Sequence, residues 1–176
     1  MRAGGFPTVI DDRIAQEFND HIRFEMASSH LYLSMAAWCE SHGLPGFSNW
    51  MRRQAEEEHQ HALKFFNFLL TRGGRVRLAD IPAPDQDWDS PLAVFEAAQI
   101  HEAEVSQRIN TLVDTVMSVR DHAANAFLQW FVNEQVEEEA SVGDVVNRLR
   151  LVGSEGRGIL LVDQELQQRE ATRLPA

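Results

Sequence analysis

Apolar residues recur at alternating spacings of three and four along most of this chain, and they rarely alternate with the period of two that a strand requires. Ile14, Phe18, His21, Glu25, Ser28, Tyr32, Met35 and Cys39 keep that spacing near the start, and Phe47, Met51, Ala55, Glu58, Ala62, Phe65 and Leu69 keep it next. Phe95, Ala98, Glu102, Val105, Ile109, Leu112, Val116 and Val119 form a third stripe, and Ala124, Leu128, Phe131, Gln135, Glu138, Val142, Val145 and Leu149 a fourth. The spacing predicts four amphipathic helices. Their limits follow from punctuation. The first runs from about Thr8 to Ser41, before His42-Gly43. The second runs from about Phe47, after Leu44-Pro45-Gly46, to Arg72 before Gly73-Gly74. The third opens with Ser90 as N-cap and Pro91 at the first helical position and continues to about Val119. The fourth starts at Asp121 as cap and ends near Val152, before Gly153. A short amphipathic piece from Gly158 to about Glu170 closes an all-α chain.

Loop lengths set the topology. The first two helices, and the last two, are joined by only a few residues, so each pair is expected to form an antiparallel hairpin. The middle link is much longer and runs from Gly73 to Ser90. Extended, it could reach about 59 Å, and the helices it joins are about 40 Å long. It can therefore run the length of the molecule and make the second and third helices parallel. The expected architecture is a four-helix bundle with one long crossover and a short fifth helix. At 176 residues it forms a single domain spanning 1–176, with the bundle over about 8–152 and the short helix over about 158–170.

Charge and composition narrow the partners. The formal net charge is −11, which disfavours nucleic acid or an anionic membrane, since both need a cationic surface. No apolar run approaches a membrane span, and Met1 to Pro7 lacks the apolar core of a signal peptide. Cys39 is the only cysteine and has no disulfide partner within the chain. A soluble, cytoplasmic protein is expected.

The chemistry lies in residues that interrupt the stripes. Glu25, Glu58, Glu102 and Glu138 each stand near mid-helix on a core face, and Gln135 joins Glu138 on the fourth helix. Unpaired buried carboxylates must protonate or draw in positive charge. None of the 16 basic residues falls on the stripes at that height. Two divalent cations would balance four carboxylates. Glu58-His59-Gln60-His61 supplies a Glu-x-x-His motif, with i and i+3 on one face, as helical bundles use to hold paired metals. The fourth helix offers Gln135-Val136-Glu137-Glu138 in its place. Carboxylates with one imidazole suit Fe or Mn. The expected ligands are Glu25, Glu58 and His61 on one metal and Glu58, Glu102 and Glu138 on the other, with Glu58 bridging. Gln135 is placed to orient water or O2, and Tyr32 to give an electron or a hydrogen bond. His21, His30, His42, His101 and His122 are read as structural.

Together these residues resemble a ferritin of the haem-free bacterial type. The likeness rests on Glu25, Ser28-Ser29 and Tyr32, on Arg52 to His61, and on His101-Glu102. It continues through Phe127-Leu128-Gln129-Trp130, Asn133-Glu134-Gln135 to Glu138, Gly158-Ile159 and Asp163 to Leu166. The resemblance implies a 24-subunit homo-oligomeric shell that oxidises Fe2+ with O2 or hydrogen peroxide at an intrasubunit di-iron site and stores the ferric mineral inside. It also implies a third iron site, which falls here on Glu57, Glu134 and Glu137, with Glu138 shared. Bacterioferritins carry Glu-x-x-His on the fourth helix and a haem-binding methionine where His59 stands here, so no haem is expected.

The competing reading is a di-iron oxidase or peroxidase on the same bundle, without storage. Rubrerythrins add a cysteine-ligated iron domain that one cysteine cannot build, and mini-ferritins place their metal between subunits. The short fifth helix favours the shell, with Ile159 to Val162 expected at a symmetry contact.

Overall fold

Five helices appear in the computed structural model, which describes residues 10–167. They are α1 (Asp12–Ser41), α2 (Pro45–Thr71), α3 (Pro91–Ser118), α4 (His122–Val152) and α5 (Gly156–Leu166). The expected start of the first helix at Thr8 and the end of the last at Glu170 lie outside the described residues. α1 begins at Asp12 because Asp11 caps it, accepting the Arg13 N–H at 2.8 Å. α2 begins two residues earlier than its apolar stripe, since Pro45 has a fixed φ and no N–H to satisfy in a first turn. α5 likewise starts at Gly156. Ser90 and Asp121 cap α3 and α4 as expected, accepting the Ala93 and Ala124 N–H groups at 3.1 and 3.0 Å.

The crossover can be followed along α1. Asn19 donates to the Arg75 carbonyl at 3.0 Å and accepts the Arg77 N–H at 2.6 Å. Further down, Ser34 donates to the Asp85 carbonyl at 2.6 Å, and Trp88 meets Trp38 edge-on at 6.3 Å. From Asn19 to Trp38 a helix rises about 29 Å. The link therefore delivers α3 to the end of the bundle where α2 begins, so the two run parallel.

Every residue of the four stripes is buried except Val119, which caps the C-terminus of α3 and stays 41% exposed. The apolar core is in two parts. One surrounds Tyr32, Phe47, Trp50, Phe95 and Val142, and the other surrounds Phe18, Phe65, Ile109, Leu128 and Phe131. Burying a side chain of this kind contributes about 1.5–3 kcal/mol. The interrupting polar residues lie between the two parts, so the apolar halves clamp a polar layer at mid-height.

α5 packs on the start of α2. Asp163 is buried and accepts the Phe47 N–H at 2.8 Å, capping a helix whose own preceding residue, Leu44, supplies no cap. Only glycine fits at position 46, because a Cβ there would stand 1.7 Å from the Asp163 carbonyl oxygen. Val162 and Leu166 are buried within the chain, whereas Leu160 and Leu161 remain about half exposed. The segment expected at a symmetry contact is thus covered in part by its own bundle and left exposed in part. Among the described residues no helix is long and apolar enough to cross a membrane.

Candidate metal centre

Four helices bring their polar interruptions to one height. Glu25 comes from α1, Glu58 and His61 from α2, Glu102 from α3, and Gln135 and Glu138 from α4, and none is more than 7% exposed. The three-residue spacing of Glu58 and His61 faces both inward, with His61 Nδ1 3.2 Å from Glu58 Oε2. Donor atoms of Glu25, Glu58 and His61 all lie within 4.8 Å of one another, the one such group found among the described residues.

The other two carboxylates hold protein donors. Glu102 accepts from the Tyr32 phenol on one oxygen and from Gln135 Nε2 at 3.3 Å on the other. Glu138 accepts from Gln54 Nε2 at 2.7 Å. Buried carboxylate oxygens need such partners, so Glu102 and Glu138 stand beside the compact trio rather than within it.

Shortage of positive charge dominates the electrostatics. Burial raises the carboxyls of Glu25 and Glu102, the latter well above its ordinary value, with the Glu58 charge adding to it at Glu102. Burial and the Glu25 charge push Glu58 up to about 7. Burial and the charges of Glu57 and Glu58 bring Glu138 to about 7. For His61, burial favours the neutral ring, but the Glu58 hydrogen bond and the charges of Glu58, Glu25 and Glu138 outweigh it and raise the ring to about 9. One imidazolium cannot neutralise four carboxylates, and divalent cations would supply what is missing. The residues fit such ions. Neither Glu25 oxygen receives a well-aligned hydrogen bond, and His61 Nε2 is buried without a partner. An oxygen-rich donor set with one imidazole is the kind that iron and manganese take.

The residues expected at a third site are more scattered. Glu57 is buried, Glu134 half-buried and Glu137 exposed. They are neighbours, because the charges of Glu137 and Glu57 add to burial in raising Glu134, but they do not close into a group as tight as the first.

Two buried residues at the site are not singled out by the sequence. Gln54, one turn before Glu58, falls off the apolar stripe and carries no signal. His21, one turn before Glu25, lies on the stripe but has no visible motif. Its Nε2 stands 2.7 Å from Glu25 Oε1, and burial drives the ring down to about 3, so it is neutral. Tyr32, buried and beside Glu102, is pushed well above its ordinary value, first by burial and then by that carboxylate, and its phenol remains a donor. His101 bonds Ser28 Oγ at 2.8 Å, outside the compact trio.

Residues 15–152 match the ferritin-like domain family. The bacterial non-heme ferritin of Bacteroides fragilis is 38% identical over 161 residues, covering 92% of this chain and all of that protein. That of Campylobacter jejuni is 34% identical over 165 residues, covering 94% and 99%. An open-pore ferritin from the hyperthermophilic archaeon Archaeoglobus fulgidus superposes with a TM-score of 0.90 at 49% identity, covering 92% of this chain and 99% of that one. A closed form of the same ferritin, engineered by mutagenesis, gives 0.91 at 48%.

Proposed function

The chain belongs to the ferritin family, whose members oxidise and store iron, and we propose that it oxidises Fe2+ at the mid-bundle carboxylate layer and stores the ferric product within a 24-subunit shell in the cytoplasm. The observation that carries this reading is the buried trio Glu25, Glu58 and His61, with donor atoms within 4.8 Å of one another and too little positive charge around them. Fe2+ is here a substrate. Glu25, Glu58 and His61 take the first ion; Glu58, Glu102 and Glu138 take the second, with Glu58 shared. Protons held by the raised carboxyls leave as the ions bind. Each iron then gives one electron to the oxidant. With O2 the balance is two Fe2+, one O2 and two protons to two Fe3+ and one hydrogen peroxide. With peroxide as oxidant, two Fe2+, one H2O2 and two protons give two Fe3+ and two waters. Gln135, tethered to Glu102, orients the small oxygen species, and Tyr32 steadies Glu102 from the opposite side. Glu57, Glu134 and Glu137 receive a further iron on its way to the store.

The test is size exclusion with light scattering, followed by aerobic Fe2+ addition with ferric absorbance as the readout. The expected result is a particle with 24 times the 20.0 kDa mass of one chain, taking up iron far beyond two or three per chain. A monomer or dimer that turns over only stoichiometric iron would instead make the protein a di-iron oxidase or peroxidase.

A further inference from the structure

A cavity of about 270 Å³ lies between α3 and α4, lined by Ser106, Ile109 and Asn110 from one helix and by Gln135, Val136 and Glu139 from the other. Asn110, Val136 and Glu139 are exposed, whereas Ile109 and Gln135 are buried, so the cavity leads from the surface toward the core. Gln135, 7% exposed, stands at its inner end. The amide Nε2 donates to Glu102 Oε2 at 3.3 Å, while Oε1 is buried and accepts no hydrogen bond among the described residues. Chemistry dictates which way the amide faces. An ionised Glu102 takes only a donor, so it holds the NH2 group and leaves the carbonyl oxygen over. A buried acceptor without a donor is uncommon, and a small molecule can supply the missing hydrogen. At about 30 Å³ per molecule of water, the cavity has room for several molecules of that size.

We propose that this cavity is the port by which hydrogen peroxide reaches and leaves the metal centre, and that Gln135 Oε1 binds it by accepting one of its O–H groups. This deepens the proposed function and rests on Glu102 being part of the metal centre. Peroxide is small and neutral and carries two O–H donors, which suits a single free carbonyl. O2 has no hydrogen to donate and gains nothing from that oxygen. Fe2+ is a poor match, because the one carboxylate of the cavity, Glu139, already accepts from the Ser106 hydroxyl. Gln135 therefore discriminates between the two oxidants and ties the bound peroxide to Glu102 through one planar group.

The experiment uses the assembled protein and the substitution Gln135→Met, which keeps an unbranched side chain, removes the acceptor and supplies a reporter. In the metal-free variant, H2O2 converts a thioether it can reach to the sulfoxide, passing one oxygen to sulfur and leaving water. Peptide mass spectrometry follows the rate at each methionine. Met117, 60% exposed, marks the open limit, and Met35 and Met51, both 0% exposed, the closed one. Oxidation at position 135 is expected to run closer to Met117 than to Met35 and Met51, and to slow when Ser106→Phe plugs the cavity. With Fe2+, initial rates are then measured against H2O2 without air and against O2 alone. Loss of the Glu102 contact affects both oxidants alike, so the difference between them isolates the carbonyl. KM for H2O2 is expected to rise about 2–10-fold, the worth of one hydrogen bond, with KM for O2 unchanged. If Gln135→Met does not assemble, Ile109→Met places the sulfur on the same cavity and Gln135→Leu removes the acceptor. Oxidation at the reporter as slow as at Met35 and Met51, or indifferent to the plug, overturns the port. Equal changes in KM for both oxidants overturn the role of Oε1. A wild type that oxidises Fe2+ rapidly with neither oxidant would instead overturn the reading of the metal centre, whatever the sulfur reports.

Discussion

Gln54 Nε2 donates to Glu138 Oε2 across 2.7 Å, joining α2 to α4 inside the core. Both side chains are buried. With the bonds from Tyr32 and Gln135 to Glu102, this contact means that two of the four core carboxylates are oriented by amides and a phenol. The corner formed by Glu25, Glu58 and His61 is where aligned donors run short. The layer is thus arranged in advance on one side and open to a cation on the other.

Gln54→Leu keeps the volume and removes the donor, leaving a buried carboxylate oxygen unsatisfied. Such a loss costs about 1–3 kcal/mol, and for a chain of this length each kcal/mol shifts Tm by about 2–4 °C. The metal-free variant should therefore melt several degrees lower by differential scanning calorimetry. An unchanged Tm would mean that the bond contributes nothing.

Tyr32→Phe is a cleaner deletion, since the ring and its packing against Trp50 at 6.4 Å are kept. Only the phenol that bonds Glu102 goes. The expected cost is again about 1–3 kcal/mol in the metal-free protein. The initial rate of Fe2+ oxidation in stopped flow should also fall, because Glu102 is held on one side only. Wild-type rates together with a wild-type Tm would leave Tyr32 as packing.

Much of this is legible in the stripes. Glutamates at mid-helix among apolar neighbours mark a buried charged layer whatever the details of packing, and the long link between α2 and α3 leaves few alternatives to a crossover. What the sequence hides are contacts between helices whose register it does not state. Gln54 lies between Met51 and Ala55 and is polar, so nothing marks it as buried until α4 is placed opposite. The capping of α2 by Asp163 is hidden for the same reason, because donor and acceptor lie at opposite ends of the chain. The start of α2 is misplaced because Pro45 and Gly46 read as turn residues; one opens the helix and the other makes room for α5.

The proposed ligand set orders three variants. In it, His61→Ala and Glu25→Ala each remove a donor from one metal, and Glu58→Ala removes the donor shared by two. Outer partners alone are worth about 10–100-fold, so each ligand variant should slow rapid Fe2+ oxidation by at least that much, Glu58→Ala most of all, with assembly retained by size exclusion. Initial rates equal to wild type in any of them would remove that residue from the ligand set.

Arg72 donates to Asp121 through both terminal guanidinium nitrogens, at 3.0 and 2.9 Å, and the pair fastens the end of α2 to the start of α4. The Arg72 bonds hold the Asp121 carboxyl below its ordinary value, against a smaller opposing effect of burial. A carboxyl depressed by folding adds stability above its unfolded pKa of about 3.9 and loses it as pH falls through the lower folded value. Asp121→Asn, which keeps a capping oxygen, should therefore lower Tm at about pH 6–7, and its deficit against wild type should shrink toward about pH 3. A deficit independent of pH would assign the effect to the cap rather than to the charge.

α5 tests how the end of the chain serves assembly. Asp163 accepts the Phe47 N–H, Asn49 reaches the Leu166 carbonyl at 3.3 Å, and Val162 is buried beneath. These contacts hold the helix on its own bundle and turn Leu160 and Leu161, each more than half exposed, outward. Adjacent apolar side chains left uncovered on a docked helix suit a contact between copies. Truncation before Gly156 should leave a bundle of native helical content that elutes as smaller assemblies. Leu160→Ser with Leu161→Ser, which spares the internal contacts, should do the same with little change in Tm. Full-size particles from both variants would place the assembly contacts elsewhere on the bundle.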